Sequence, residues 1–385
     1  MTSTLPLKGI RVIELCWVWS GPLLGQFLAD LGAEVIKVEW FKRYDLYRTR
    51  GVERMAGKYP ENIRREMSHS FHGLNRNKIG LAMDLKDPKH KDGLIDLVAQ
   101  SDLIIENFTS GTLDRLGLGY KNLSDANKAI VLLSLSGFGA SSRLSQMRAY
   151  GLVLSALSGM EAGILDSQDG EFIGSPTFVA SDPNAATYGL FAAISAILAA
   201  KKTGFGSHVE ISQLEAVAHV AEVKDTELKK FAETLGLQIA FDQGNQDIIP
   251  CLDGKYICLA WPENISEQEK KYICNEIENM GREEAQKFLD NNKITAVSIV
   301  EQSSEIGAGA LAKGTLIPTV HPVTGPEDIV AAPWWIDGQR APLRKAAPTL
   351  GEGNDYVLGT LLNWSHEERT EISLFDLEKR FVSKK

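Results

Sequence analysis

Cysteine is scarce. The 385 residues contain four, Cys16, Cys251, Cys258 and Cys274, and no two form a CxxC pair. That spacing excludes a CxxC-type structural zinc site and leaves no metal site to expect. Scattered thiols in a chain of this size also argue against a disulfide framework and for a reducing compartment, the cytoplasm. A basic excess is missing too. Lysine and arginine number 41 against 50 acidic residues, a net charge of −9. Nucleic acid is therefore not an expected partner, because phosphate backbones need a basic surface. No long apolar run is present. The longest, Tyr188–Ala200, has 13 residues, too few to cross a bilayer, and reads as a buried helix. The first residues, MTSTLPLKGIRVIEL, do not read as a signal peptide, and no membrane association is expected. Several catalytic signatures are absent: GxGxxG after the first strand, GxxxxGK[ST], HExxH and GxSxG. Gly137-Phe138-Gly139 and Gly204-Phe205-Gly206 read as turns, and the seven histidines are scattered.

What is present is ordinary globular material: 44% hydrophobic and 24% charged residues, enough for about two or three domains. Short Val- and Ile-rich runs read as buried strands at Gly9–Leu15, Ala33–Glu39, Ile79–Leu85, Asp102–Phe108 and Ala129–Leu135. Helix patterns at Pro22–Leu31 and Asp87–Ala99 alternate with them. Strand, helix and strand in alternation predict an α/β fold with a parallel, Rossmann-like sheet. Residues 40–74 break the alternation and read as a long connection with some helix. An Ala-rich helix at 184–201, a strand at Ser207–Ser212 and a helix from about Leu214 follow. Residues 225–319 are richer in Glu, Lys, Asn and Gln. They read as a smaller α+β domain whose best strand is Lys255–Trp261. The large domain is then 1–224, with 320–385 returning to it and ending in a helical tail.

The informative signal is a set of short motifs in fixed order. Leu7-Lys8-Gly9-Ile10-Arg11-Val12-Ile13-Glu14-Leu15 is followed by Ser20-Gly21-Pro22 and Leu31-Gly32-Ala33-Glu34-Val35-Ile36-Lys37-Val38-Glu39. Then come Asn75-Arg76-Asn77-Lys78 with Met83-Asp84-Leu85, and Glu106-Asn107-Phe108 with Gly111-Thr112-Leu113-Asp114-Arg115-Leu116-Gly117. Ser136-Gly137-Phe138-Gly139, then Asp182 before the Ala-rich helix, and Ala347-Pro348-Thr349-Leu350-Gly351-Glu352 complete the set. Together these resemble the family III CoA-transferases, over residues 7–220 and again at 340–365.

The resemblance implies a CoA-transferase that moves CoA from an acyl-CoA, for example succinyl-CoA, to a carboxylic acid. It implies coenzyme A esters as substrates and no tightly bound cofactor. Asp182 matches the family's nucleophile, which would pass through an aspartyl anhydride and an aspartyl-CoA thioester. Read from position alone, Asp182 is also a natural helix cap. By the same match, Asn107 and Phe108 lie near the CoA, and Lys78 and Arg115 contact its phosphates. Arg148 and Tyr150 line its channel, and Val18 with its neighbours touches the acyl group. Arg115 has a plain alternative as a surface helix residue paired with Asp114 or Asp125. The resemblance further implies an interlocked dimer, of two identical chains or with a related one.

The sequence also departs from the family pattern. Trp17 and Trp19 stand where oxalate-type members carry polar residues. In an extended stretch they would share a face and form a flat wall for a bulky or aromatic acid; core packing is the other reading. Trp40 replaces a basic residue, Ile79 an arginine and Gly353 a histidine. No counterpart of the glycine-rich active-site loop is evident after 225. Two other functions stand beside the transferase: a non-catalytic partner subunit, and a 2-methylacyl-CoA racemase. The racemase needs a histidine where Tyr150 stands.

Overall fold

Six parallel strands form the centre of the molecule: β1 (Arg11–Leu15), β2 (Glu34–Glu39), β3 (Ile79–Ala82), β4 (Leu103–Glu106), β5 (Val131–Ser136) and β6 (His208–Ser212). Their order is β3-β2-β1-β4-β5-β6, all pairs parallel. This is the doubly wound arrangement, with its switch point between β1 and β4. The computed structural model describes residues 5–160, 179–219, 246–262, 264–299 and 314–382. It divides into two units, 1–222 with 315–385, and 223–314. The return to the large unit thus falls at Thr315 rather than at 320.

Both faces of the inner strands are covered, so β4 and β5 are buried at every position. Ile13, Leu15, Ile36, Val38, Leu81 and Ile104 pack into one buried cluster. Val12, Val35, Leu103, Ile105, Val131 and Leu133 pack into the other. The helices on and around these faces are α1 (Ser20–Asp30), α2 (Glu61–Arg64), α3 (His69–Asn75), α4 (Pro88–Val98), α5 (Thr112–Arg115), α6 (Tyr120–Ala126), α7 (Gly151–Leu157), α8 (Ser181–Thr203) and α9 (Gln213–Ala218). The Asp-Pro start of α4 behaves as expected: Asp87 is the N-cap and accepts from Lys89 N at 2.9 Å and His90 N at 3.2 Å. α8 is long and apolar enough to cross a membrane by length and composition. Yet Ala185, Ala186, Gly189, Ala193 and Ile197 are buried along it, and Ala185, Ala186, Ala193 and Ile197 sit in the same cluster as Leu24 and Leu133. Residues 40–74 supply two short 3-10 turns besides α2 and α3.

The smaller unit is an antiparallel sheet, β7 (Gln246–Pro250), β8 (Tyr256–Ala260) and β9 (Thr295–Ile299), with helices α10 (Glu267–Glu278) and α11 (Arg282–Asn291). A capping box of Ser266 and Glu269 opens α10. Ile257, Leu259, Ile277 and Leu289 form its core. In the returning segment, the hairpin of β10 (Leu316–His321) and β11 (Gly325–Val330) precedes the C-terminal helix α12 (His366–Val382). Leu350, Val357 and Leu358 join the core of the large unit, and Asn354 Oδ1 accepts from Ala82 N at 2.9 Å.

Candidate active site

A cleft of about 1120 Å³ opens beyond the carboxyl ends of β1, β4 and β5, where open α/β sheets place ligands. Its floor is the turn between β1 and α1. Val18 stands there at φ 71°, a strained backbone for a β-branched residue. Two side chains from other elements hold the turn. Asp45 Oδ1 accepts from Val18 N at 2.9 Å. Asn107 accepts from Trp17 N at 2.9 Å and donates to Trp17 O at 2.7 Å. Asn107 therefore lines the cleft mainly as a clamp on this turn.

Asp182 reaches the cleft from the first turn of α8. The N-cap is Ala180 and provides no side-chain bond, so Asp182 is not the cap. It stands in the positive field of the helix start instead. Burial pushes its carboxyl above the ordinary range; the Ser20 N–H, the Ser181 hydroxyl, its own N–H and the Ser20 hydroxyl partly offset this. A Cβ on Gly151 would collide with the Asp182 carboxylate and with Val179, so the start of α7 approaches the acid only because residue 151 is glycine.

Around this acid the cleft is cationic. Arg43, Arg50, Arg115 and Arg148 line it, and Asp182 is its only acidic side chain among the described residues. Arg115 is exposed, donates to Thr112 Oγ1 at 2.9 Å and has no ion pair among the described residues. Arg50 donates to the Tyr47 hydroxyl at 2.8 Å. Arg148 and Tyr150 are exposed on the rim, Tyr150 at 65%. A smaller apolar pocket of about 190 Å³ adjoins, sharing Trp17, Arg43, Phe108, Thr112 and Arg115 and adding Trp40, Met83 and Leu85.

Two expectations fail. Lys78 does not reach the cleft. It is fully buried, and its ammonium is committed to Glu14 at 2.7 Å, Asn75 Oδ1 at 2.8 Å and the Pro22 carbonyl at 2.8 Å. Burial draws its pKa down to about 8, against the pull of Glu14. A phosphate cannot contact a lysine sealed beneath α1. Trp17 and Trp19 do not share a strand face either, because the chain turns at Val18. Trp17 packs edge-on to Phe108, centroids 5.9 Å apart, while Trp19 packs against the cluster of Tyr47, Phe71 and Ala347.

Lys78 belongs to a buried charge network that underpins the turn. Lys37 bridges Glu14 and Asp45, each at 3.0 Å. Beside it Arg48 pairs with Glu39 at 2.7 Å and Glu66 at 2.5 Å. Despite burial, Arg48 holds the Glu39 carboxyl down to about 2. Through Asp45 this network reaches the backbone that faces Asp182.

The family model described as CoA-transferase family III matches residues 7–268. The chain belongs to CoA-transferase family III. Among relatives, this family III chain is 32% identical over 225 residues to succinyl-CoA:glutarate CoA-transferase of Homo sapiens, covering 57% of this chain and 49% of that one. It is 33% identical over 227 residues to acetyl-CoA:oxalate CoA-transferase of Acetobacter aceti, covering 56% and 54%. The chain spans about half the length of the curated relatives it matches. A solved CAIB/BAIF family protein from Brucella suis superposes with a TM-score of 0.76 at 21% identity, covering 93% of this chain and 100% of that one, which shows a shared fold.

Ser20, Tyr47, Arg50, Gly151 and Gln213 line the family III cleft without having been singled out as site residues. Ser20 sat in a motif already visible, Ser20-Gly21-Pro22. Tyr47 and Arg50 lie in the irregular 40–74 connection, where no periodicity points to a site. Of the stretch after 225, which shows no evident counterpart of the glycine-rich loop, residues 226–245, 263 and 300–313 lie outside the described residues.

Proposed function

We propose that the protein is a CoA-transferase whose nucleophile is Asp182. The observation that carries this reading is a single carboxylate in a cleft of about 1120 Å³ that four arginines also line, large enough for an acyl-CoA. An Asp182 oxygen attacks the thioester carbonyl and expels CoA thiolate, leaving a mixed anhydride. The thiolate attacks the aspartyl carbonyl, releasing the donor acid as its carboxylate and leaving aspartyl-CoA thioester. The acceptor carboxylate then expels the thiolate and forms a second anhydride. Attack of the thiolate on the acceptor's acyl carbon yields the new acyl-CoA and restores Asp182. No net proton is needed. Arg43, Arg115 and Arg148 suit the phosphates, and the adjoining pocket of Trp17, Trp40 and Phe108 suits the adenine.

The donor is a small acyl-CoA such as succinyl-CoA, consistent with the relatives' substrates. Leu46, Tyr47, Val18 and Trp19 wall the cleft near Asp182 and favour an acceptor acid with a bulky or aromatic body. This support comes from the cleft walls and no longer from strand alternation. Association with a second copy or a related chain is supported by the exposed apolar side chains of α8, Phe191 at 75% and Leu198 at 56%. Four free thiols fit work in the cytoplasm. No histidine lines the cleft among the described residues, which weighs against the racemase.

Trapping tests the reading. Incubation of the chain alone with succinyl-CoA, then hydroxylamine, should convert Asp182 to its hydroxamate, and Asp182→Asn should yield neither adduct nor transfer while still binding CoA. Label on another residue, or turnover in the Asn variant, would overturn it. A chain that binds CoA but forms no adduct would point to the non-catalytic subunit.

A further inference from the structure

Outside the cleft, α3 and the β10–β11 hairpin bring three imidazole rings and one carboxylate together. His72 Nε2 lies 3.1 Å from the Glu66 carbonyl and His72 Nδ1 lies 2.8 Å from Glu327 Oε2. His69 Nδ1 lies 3.5 Å from the same oxygen. The ring of His321 stacks on His72, centroids 3.9 Å apart. We propose that His69, His72 and Glu327 form a site for a borderline-soft divalent cation of the Zn²⁺ class, clasping α3 to the β10–β11 hairpin.

The hydrogen-bond inventory supports this. A carbonyl oxygen only accepts, so His72 Nε2 carries the proton. Nδ1 then faces the Glu327 carboxylate at 2.8 Å, a nitrogen and an oxygen that either a proton or a metal cation can join. The Nε2–H to a main-chain carbonyl is the orientation that metal-ligating histidines adopt. Glu327 is buried, and its second oxygen, Oε1, has no hydrogen-bond partner among the described residues, so the carboxylate has capacity left to bind.

The separations also fit. Donors around a tetrahedral zinc at roughly 2.0–2.1 Å stand about 3.3 Å apart. The observed 2.8 and 3.5 Å straddle that value, and all three donor atoms lie within 4.8 Å of one another. His69 is 79% exposed, so it leaves an entry path and a fourth position for water. Two imidazoles and one carboxylate favour Zn²⁺ or Co²⁺ over Mg²⁺ or Ca²⁺. His321 is not a ligand. Its Nδ1 accepts from Val323 N at 3.2 Å and Thr324 N at 3.4 Å, so the proton sits on Nε2. Its ring stacks on His72 and serves as a plate beneath it.

Cobalt titration of the chelator-treated full chain tests the site. Visible Co²⁺ bands should saturate at one equivalent and be displaced by Zn²⁺ but not by Mg²⁺. His69→Ala, at an exposed position that leaves the fold intact, should weaken binding at least tenfold, and Glu327→Gln should abolish the bands. Zn²⁺ should raise the Tm of the wild type and not that of His69→Ala. Absence of a saturable signal in the wild type would overturn the site and leave His72 and Glu327 as an ion pair held by a proton. Binding of equal strength in His69→Ala would overturn it as adventitious.

Discussion

Asp182 combines two influences that rarely coincide in a surface carboxylate: a helix start that favours its charge, and burial that opposes it. Burial wins, and the pKa rises above its ordinary 3.8. As the proposed nucleophile Asp182 must be deprotonated, so kcat/KM should climb as pH rises through this shifted value and then level off. The acid limb should therefore sit above the usual carboxylate range, and a limb at or below 3.8 would contradict the assignment. Arg115 lines the same cleft. Its guanidinium is exposed and has no ion pair among the described residues, free to meet a phosphate. Such a contact supplies uniform binding and, as a charge-assisted bond, about 1.5–3 kcal/mol. Arg115→Ala should raise KM for acyl-CoA tenfold or more, with kcat little changed in steady-state assays. An unchanged KM would return Arg115 to the solvated surface.

Among the secondary-structure elements, two departures from the family pattern prove to be neighbours. Gly353 N donates to Gly80 O at 2.8 Å, which brings the returning segment against β3. A Cβ at 353 would overlap Ile79 Cγ2 and lie 2.9 Å from the Gly80 carbonyl. Glycine at 353 and isoleucine at 79 therefore fit each other, and a histidine at 353 has no room. Gly353→His should cost about 1–3 kcal/mol by overpacking, read as a lower urea midpoint. Ile79→Ala should recover part of that loss, a coupling expected only for residues in contact. Strict additivity of the two changes would show that they do not touch.

For the molecule as a whole, the buried network beneath the cleft ties stability to pH. Glu39 titrates near 2 when folded against 4.5 in its ordinary state. Between those values the unfolded chain binds the extra proton, so stability rises with pH across that window. The contribution is complete above about 4.5 and is lost as pH falls toward 2. Glu39→Gln should flatten that part of the stability profile in denaturant titrations. It should also lower stability at pH 7 by about 3–5 kcal/mol, because Arg48 loses a buried partner. An unchanged acid slope would remove Glu39 from the network's account.

The parallel sheet was legible in the sequence because strands buried on both faces are rich in Val, Ile and Leu. β1, β2, β4, β5 and β6 start or end within two residues of the runs expected for them. Asp182, the proposed nucleophile, stood out because it precedes a long Ala-rich helix within an ordered set of motifs. The β10–β11 hairpin was not, since Pro318, Pro322 and Pro326 mask its alternation. Lys78 looked like a phosphate ligand because composition cannot separate a lysine facing a cleft from one sealed against Glu14. Trp17 and Trp19 looked coplanar because spacing assumes an extended backbone, and only the turn at Val18 parts them. Chain periodicity is local and determined which segments became strands and helices. The pairing of charges, the gathering of Asp182 and the arginines in one cleft and the meeting of His69, His72 and Glu327 depend on residues distant in sequence, His69 and Glu327 being 258 positions apart. Those distances close only when the sheet and the returning chain pack, so tertiary structure alone decided them.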